Sequence, residues 1–200
     1  MSAEVQVTVA YFEKPGKENT QRTFELAKKR AEELGIKTIL VASTRGETGV
    51  KACETFRGYD VVVVTHSTGF KKPDYQELTD ENRAAIEAAG GKILTCQHAF
   101  GGVGRAVRKK LRTYELEEFI AYTLRIFGEG MKVVVEIALM AADAGLVRTD
   151  EAASSHVRSG VIAIAGTGKG ADTAVVLKPA NAQAFFDLKV LEVLCKPRLG

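Results

Sequence analysis

Apolar, β-branched runs recur through the first hundred residues at 5–11, 36–42, 60–65 and 92–96, each followed by a glycine-bearing loop and a stretch of helical periodicity. This βαβα rhythm predicts parallel strands joined by helical crossovers. Val61, Val62, Val63 and Val64 are apolar in succession, as a strand covered by helices on both faces requires. The first helix starts at Asn19 or Thr20, carries its stripe at Phe24, Ala27, Ala31 and Leu34, and stops at Gly35. Thr79 opens another, which Gly90 and Gly91 end.

Beyond residue 100 the pattern changes to two consecutive helices, a helical insertion around 103–145. Thr113 is the expected cap of the first, whose core stripe is Leu116, Phe119, Ile120, Leu124 and Phe127. The second, over 131–144, carries only Lys132, Glu136 and Asp143 as charges, so most of its circumference must be buried. Strands are expected at 161–165 and 173–177 around a glycine-rich turn, and at 188–195 before Pro197. One domain accounts for the 200 residues.

Composition narrows the function classes. With 46% hydrophobic residues, 26% charged and a net charge of +3, the chain can pack a core. Its basic residues are scattered, which argues against nucleic acid as the partner. The three cysteines lie far apart in apolar runs, which suits reduced thiols and a cytoplasmic setting. No leader pattern opens the sequence, and charges break the most apolar region, so no membrane association is expected. No HExxH, CxxC or clustered carboxylates speak for a metal.

Ligands of parallel α/β sheets bind beyond the carboxyl ends of the strands, and hydroxyls, glycines and two of three histidines gather in the loops there. The loop Ser43, Thr44, Arg45, Gly46, Glu47, Thr48, Gly49 joins a strand to a helix start and is a candidate phosphate cradle. Ordinary capping by its hydroxyls is the alternative. Thr65, His66, Gly69 and Phe70 follow the third strand, and Gln97 and His98 the fourth, so His66 or His98 is a candidate acid or base, or else bonds loop backbone. Phe70 and Phe100 could cover a flat ring or belong to the core.

The segment Gly166, Thr167, Gly168, Lys169, Gly170, Ala171, Asp172, Thr173 lacks the first glycine and the terminal hydroxyl of a Walker A loop. It fits the dinucleotide fingerprint but leads into a strand instead of a helix, which leaves an anion nest or a hairpin turn. Ser67, His98 and Asp172 make a triad on paper without the nucleophile elbow. His156, in an expected loop, has no assigned role.

The run Ile39 to Gly49 resembles the strand and loop that open the effector-phosphate site in the C-terminal domain of pyruvate kinase. The whole chain resembles the free-standing pyruvate kinase α/β domain-containing proteins. The resemblance runs through Val63, Val64, Thr65 and His66, through Gly69 and Phe70, and through Thr123 to Gly128. Its most specific stretches are Gly166 to Thr173 and Phe185 to Lys189. It implies a three-layer α/β/α fold on a mixed, mostly parallel sheet with an antiparallel edge. It also implies a phosphorylated ligand over the strand ends, with flavin mononucleotide (FMN) the leading candidate. Pyruvate kinase activity is not expected, since that chemistry needs a barrel domain absent from this sequence. A flavin-dependent oxidoreductase or small transferase using His66 or His98 is the alternative, a regulatory subunit another, and a homodimer is expected in each case.

Overall fold

A computed structural model of the chain describes residues 4–150 and 160–198. Seven strands form one sheet: β1 (Ala10–Phe12), β2 (Thr38–Ala42), β3 (Asp60–Val64), β4 (Lys92–Leu94), β5 (Val161–Ala165), β6 (Thr173–Lys178) and β7 (Lys189–Pro197). Their order is β1-β7-β6-β5-β2-β3-β4. The helices are α1 (Thr20–Leu34), α2 (Glu47–Thr55), α3 (Asp80–Ala88), α4 (Val103–Leu111), α5 (Leu116–Arg125) and α6 (Glu129–Asp143).

Alternation along the strands builds two cores. Ile39, Val41, Val61, Val63, Ile162 and Ile164 point to one face, against Phe24 and Ala27 of α1, Ala52 of α2 with Phe56 just past its end, and Ile86 of α3. Leu40, Val62, Val64, Ala163 and Val175 point to the other, against Val134, Ala138 and Ala141 of α6. The architecture is therefore helix, sheet, helix, because neither face of a strand such as β3 can be left to water.

Gly35 ends α1 in the left-handed region with φ 70°, and the Asn82 amide N–H donates to Thr79 Oγ1 at the start of α3 over 3.3 Å. At α1 the cap position is Asn19, without a side-chain cap bond, after a 3-10 turn over Lys17–Asn19.

Four expectations need correction. The first strand is Ala10–Phe12 instead of 5–11, because β1 pairs only with Cys195, Lys196 and Pro197 of β7, and residues 5–9 meet no neighbouring strand. The antiparallel strand is not an edge: β6 runs antiparallel to both β5 and β7 inside the sheet, while the edges β1 and β4 are parallel to their neighbours. Three helices occupy 103–143, with α4 added and α5 capped at Glu115, not Thr113. Finally, the apolar stripe expected on α5 faces the core only in part. Ile120 and Leu124 are half-buried against the second core, Leu116, Phe119 and Phe127 are exposed, and the fully buried positions of the helix are Glu118 and Ala121. The reason is that α6, buried along nearly its whole length, already covers that face of the sheet.

Candidate functional site

Strands β1, β2, β3, β4, β5 and β7 run the same way, so the loops after β1 to β5 meet along one edge. The sheet pattern continues past β2 and β3: Ser43 N–H donates to Val64 O and Thr65 N–H to Leu94 O, both over 2.9 Å. These bonds lock the first residue of each loop, and with it the direction in which the next side chain leaves the sheet.

Ser43 is buried and its Oγ accepts from Gly49 N–H at 3.1 Å, which satisfies a first-turn donor of α2 from three residues ahead of the N-cap position Gly46. Gly49 must lack a side chain, since a Cβ would lie 2.7 Å from Val63 Cγ1. Gly46, at φ 105°, lies so close to α3 that a Cβ would stand 2.4 Å from Asn82 Cβ. The loop carbonyl of Arg45 accepts from Asn82 Nδ2 and Thr79 N–H. Arg45 and Glu47 point outward as an exposed pair 3.7 Å apart. The N–H groups of Glu47 and Thr48, in the first turn of α2, have no partner in the helix ladder.

Thr44 turns the other way and meets a group of rings. Its Oγ1 lies 3.4 Å from His66 Nε2, and His66 Nδ1 lies 2.9 Å from Glu77 Oε2. A carboxylate partner assigns the neutral imidazole proton to Nδ1, so Nε2 is the acceptor from the Thr44 hydroxyl. Thr65 and Thr95 hydroxyls are paired at 2.7 Å beneath this row. Phe70, which follows Gly69 in the left-handed region at φ 82°, lies 4.1 Å from the His66 ring and stacks on His98 at 5.0 Å, 17° from parallel. The two imidazoles are 5.3 Å apart, and the Arg105 guanidinium stands 4.7 Å from the Phe70 ring centre.

His98 is held differently from His66. Its Nε2 accepts from Ser67 N–H at 3.3 Å, which leaves the proton on Nδ1, 3.8 Å from Glu136 Oε2. Burial pushes its pKa down to about 4; Glu136 opposes that shift, while His66, Lys132 and Arg105 add to it. Glu136 itself accepts from Phe100 N–H at 3.1 Å and pairs with Lys132, one turn away on α6. Burial also lowers the Lys132 pKa. His98 is thus a neutral ring, bonded through Nε2 and facing a buried ion pair through Nδ1, whereas His66 Nε2 faces a half-buried hydroxyl.

The glycine-rich turn after β5 lies on the same edge, and β5 neighbours β2, yet its contacts run elsewhere. Residues 166–172 close a hairpin between β5 and β6, with Ala165 opposite Thr173. The fully buried Asp172 accepts from Thr167 N–H at 3.1 Å, Gly16 N–H at 3.0 Å and the Thr173 hydroxyl at 2.9 Å. Ala171 N–H donates to Thr20 Oγ1 at 3.0 Å, and a Cβ on Gly170 would stand 2.4 Å from that oxygen. The carboxylate in this turn is the chain's own, Gly168 and Lys169 are exposed, and the Thr167 hydroxyl is buried without a partner.

The sequence candidates therefore divide. Thr44, Thr65, His66, Phe70 and His98 come together, with Gly69 in the turn beside them and Gln97 exposed next to Gly102. Gly166 to Thr173 form a separate group on the loop after β1. Asp172 is engaged with Gly16, Thr167 and Thr173, and Ser67 meets His98 through its backbone, so the paper triad is not assembled. Phe100 is core, edge-on to Phe185 at 6.0 Å. His156 lies outside the described residues. Sequence reasoning did not name Glu77, Arg105, Lys132 or Glu136 for the site. The last two carried a signal: opposite charges one turn apart on a helix too apolar to be exposed must pair inside. Glu77, in a loop, carried none.

Among the described residues no grouping of three or more His, Cys, Asp or Glu could hold a metal ion, and no helix is long and apolar enough to cross a membrane. The cysteines are unpaired, and burial pushes the Cys195 thiol up to about 11.

No family model matches the chain. Among solved structures, a hydrogen sulfide-producing enzyme from Fusobacterium nucleatum is similar at 19% identity and a TM-score of 0.29, over 50% of this chain and 30% of that one. The chain thus spans less than a third of that enzyme's length.

Proposed function

We propose that this protein binds a phosphorylated small molecule bearing a flat ring, with FMN the leading candidate, at the carboxyl ends of β2, β3 and β4. The observation that carries this reading is the 3.4 Å contact between Thr44 and His66, because it joins a helix start suited to an anion to a wall of rings. The phosphate lies on Glu47 and Thr48 N–H with the hydroxyls of Thr44 and Thr48, and the ring lies against His66 and Phe70. Arg45 exchanges its exposed partner Glu47 for the ligand's charge. The flavin itself is supplied by the family resemblance; the geometry supports an anionic group beside a planar one. Bound flavin supplies hydride and electron chemistry, while the chain's residues bind and orient it. Purified protein is expected to carry a visible chromophore, or to quench the fluorescence of added FMN. A colourless protein that leaves FMN fluorescence at its free-solution value sinks the flavin reading.

A second reading, an oxidoreductase or small transferase, is favoured by one arrangement, the chain Glu77–His66–Thr44. It makes His66 the acid or base and leaves His98, whose Nε2 is already occupied, to hold the loop.

A further inference from the structure

The α4–α5 segment presents the opposite of a normal surface helix. Leu116, Phe119, Tyr122 and Ile126 recur every three or four residues along α5 and are 71%, 60%, 50% and 76% exposed. Tyr114 extends the stripe, its ring 6.1 Å from Phe119 and 6.0 Å from Tyr122, and Phe127 continues it at 55% exposure. On α4, Val103 and Leu111 are also exposed, and the helix has no buried residue at all. An apolar stripe facing water at this density marks an interaction surface.

We propose that this face joins a second copy of the chain in a two-fold dimer. The first argument is size. Half to three-quarters of each of these eight side chains is bare, on the order of 100 Å² apiece, or about 800 Å² together, the area one partner contributes to a standard stable interface. The second argument is charge. Lys109, Lys110 and Arg112 at the end of α4 are exposed beside the acidic start of α5, where Glu117 is exposed and Glu115 half-buried. A surface carrying both signs next to each other is complementary to itself under a two-fold rotation, which a two-fold interface requires. An anionic lipid surface would meet the glutamates with repulsion.

The inference stands apart from the ligand reading, since the hydrogen-bond and ring partners of Thr44 and His66 are each other, Thr65, Glu77, Gln76, Phe70 and His98, none of them in the stripe. Sedimentation equilibrium of the full chain at about 20 µM is expected to give twice the 21.6 kDa chain mass. Phe119→Glu with Ile126→Glu is expected to weaken association at least about 100-fold while circular dichroism and FMN response stay unchanged, because both side chains are exposed in the single chain. Lys110→Glu is expected to weaken the dimer, and adding Glu117→Lys to restore part of the loss. A monomeric native chain, a double variant that still dimerises, or a native monomer that sediments with anionic vesicles each overturns the proposal.

Discussion

The two halves of the sheet's carboxyl edge use the same residue types to opposite ends. After β5, glycines and hydroxyls fold a hairpin tightly around Asp172, and the chain supplies its own anion to the N–H groups of Gly16 and Thr167. After β2 and β3, Ser43 takes up one first-turn N–H of α2, that of Gly49, but the N–H groups of Glu47 and Thr48 keep no partner in the helix ladder, and Thr44 faces the ring group. Glycine content therefore does not mark the ligand side of the edge. What separates the halves is where the nearest carboxylate lies: buried inside the turn in one, and behind the imidazoles, as half-buried Glu77 and buried Glu136, in the other.

The sharpest way to break this contrast is Asp172→Ala. It strips three donors of a fully buried acceptor, and a loss of about 3–5 kcal/mol is expected in urea unfolding. Protein that remains folded should keep its FMN response. If stability held and ligand response vanished, the two halves would have exchanged roles.

The next test sharpens the ligand half. His98 has a folded pKa of about 4 against an ordinary 6.5, lowered chiefly by burial. Between those values the unfolded chain takes up a proton that the folded chain refuses, so stability must fall as pH drops from 6.5 to 4. The loss approaches about 3 kcal/mol. Urea midpoints measured across this range should slope for the native chain and flatten in His98→Gln. Equal slopes would mean that His98 is not buried neutral.

The contrast also explains what could be read without coordinates. The parallel sheet was legible in the unbroken apolar runs at Ile39 to Val41 and the four valines at 61–64, because a strand buried on both faces has no polar period. The hairpin was legible by half: a strand after Gly170 left no room for a helix, but an anion nest stood beside the hairpin turn until Asp172 was seen to fill it. Helix α4 was not: Gly101, Gly102 and Gly104 read as loop, and its apolar positions face no core. Arg105 went unseen with it. The exposure of the α5 stripe was invisible because periodicity says only that one side is apolar, and α6 had already taken the sheet. His66 and His98 were legible as strand-end residues. Their carboxylates were not, lying 11 and 38 positions further along, where a loop and a helix return them to the site.

Thr44→Val is the smallest perturbation and bears on the junction itself. The side chain is half-buried, and His66 keeps its bond to Glu77 without it, so folding stability should move by no more than about 0.5 kcal/mol. Ligand binding should move more. A hydroxyl that both contributes to the phosphate cradle and bonds His66 Nε2 is worth about 1 kcal/mol, or about fivefold in the Kd for FMN. The ratio of the two effects is informative, because a merely structural threonine would show its loss in the urea midpoint and leave the Kd alone. A Kd changed less than about twofold would detach the helix start from the ring wall, and both halves of the edge would then be scaffold.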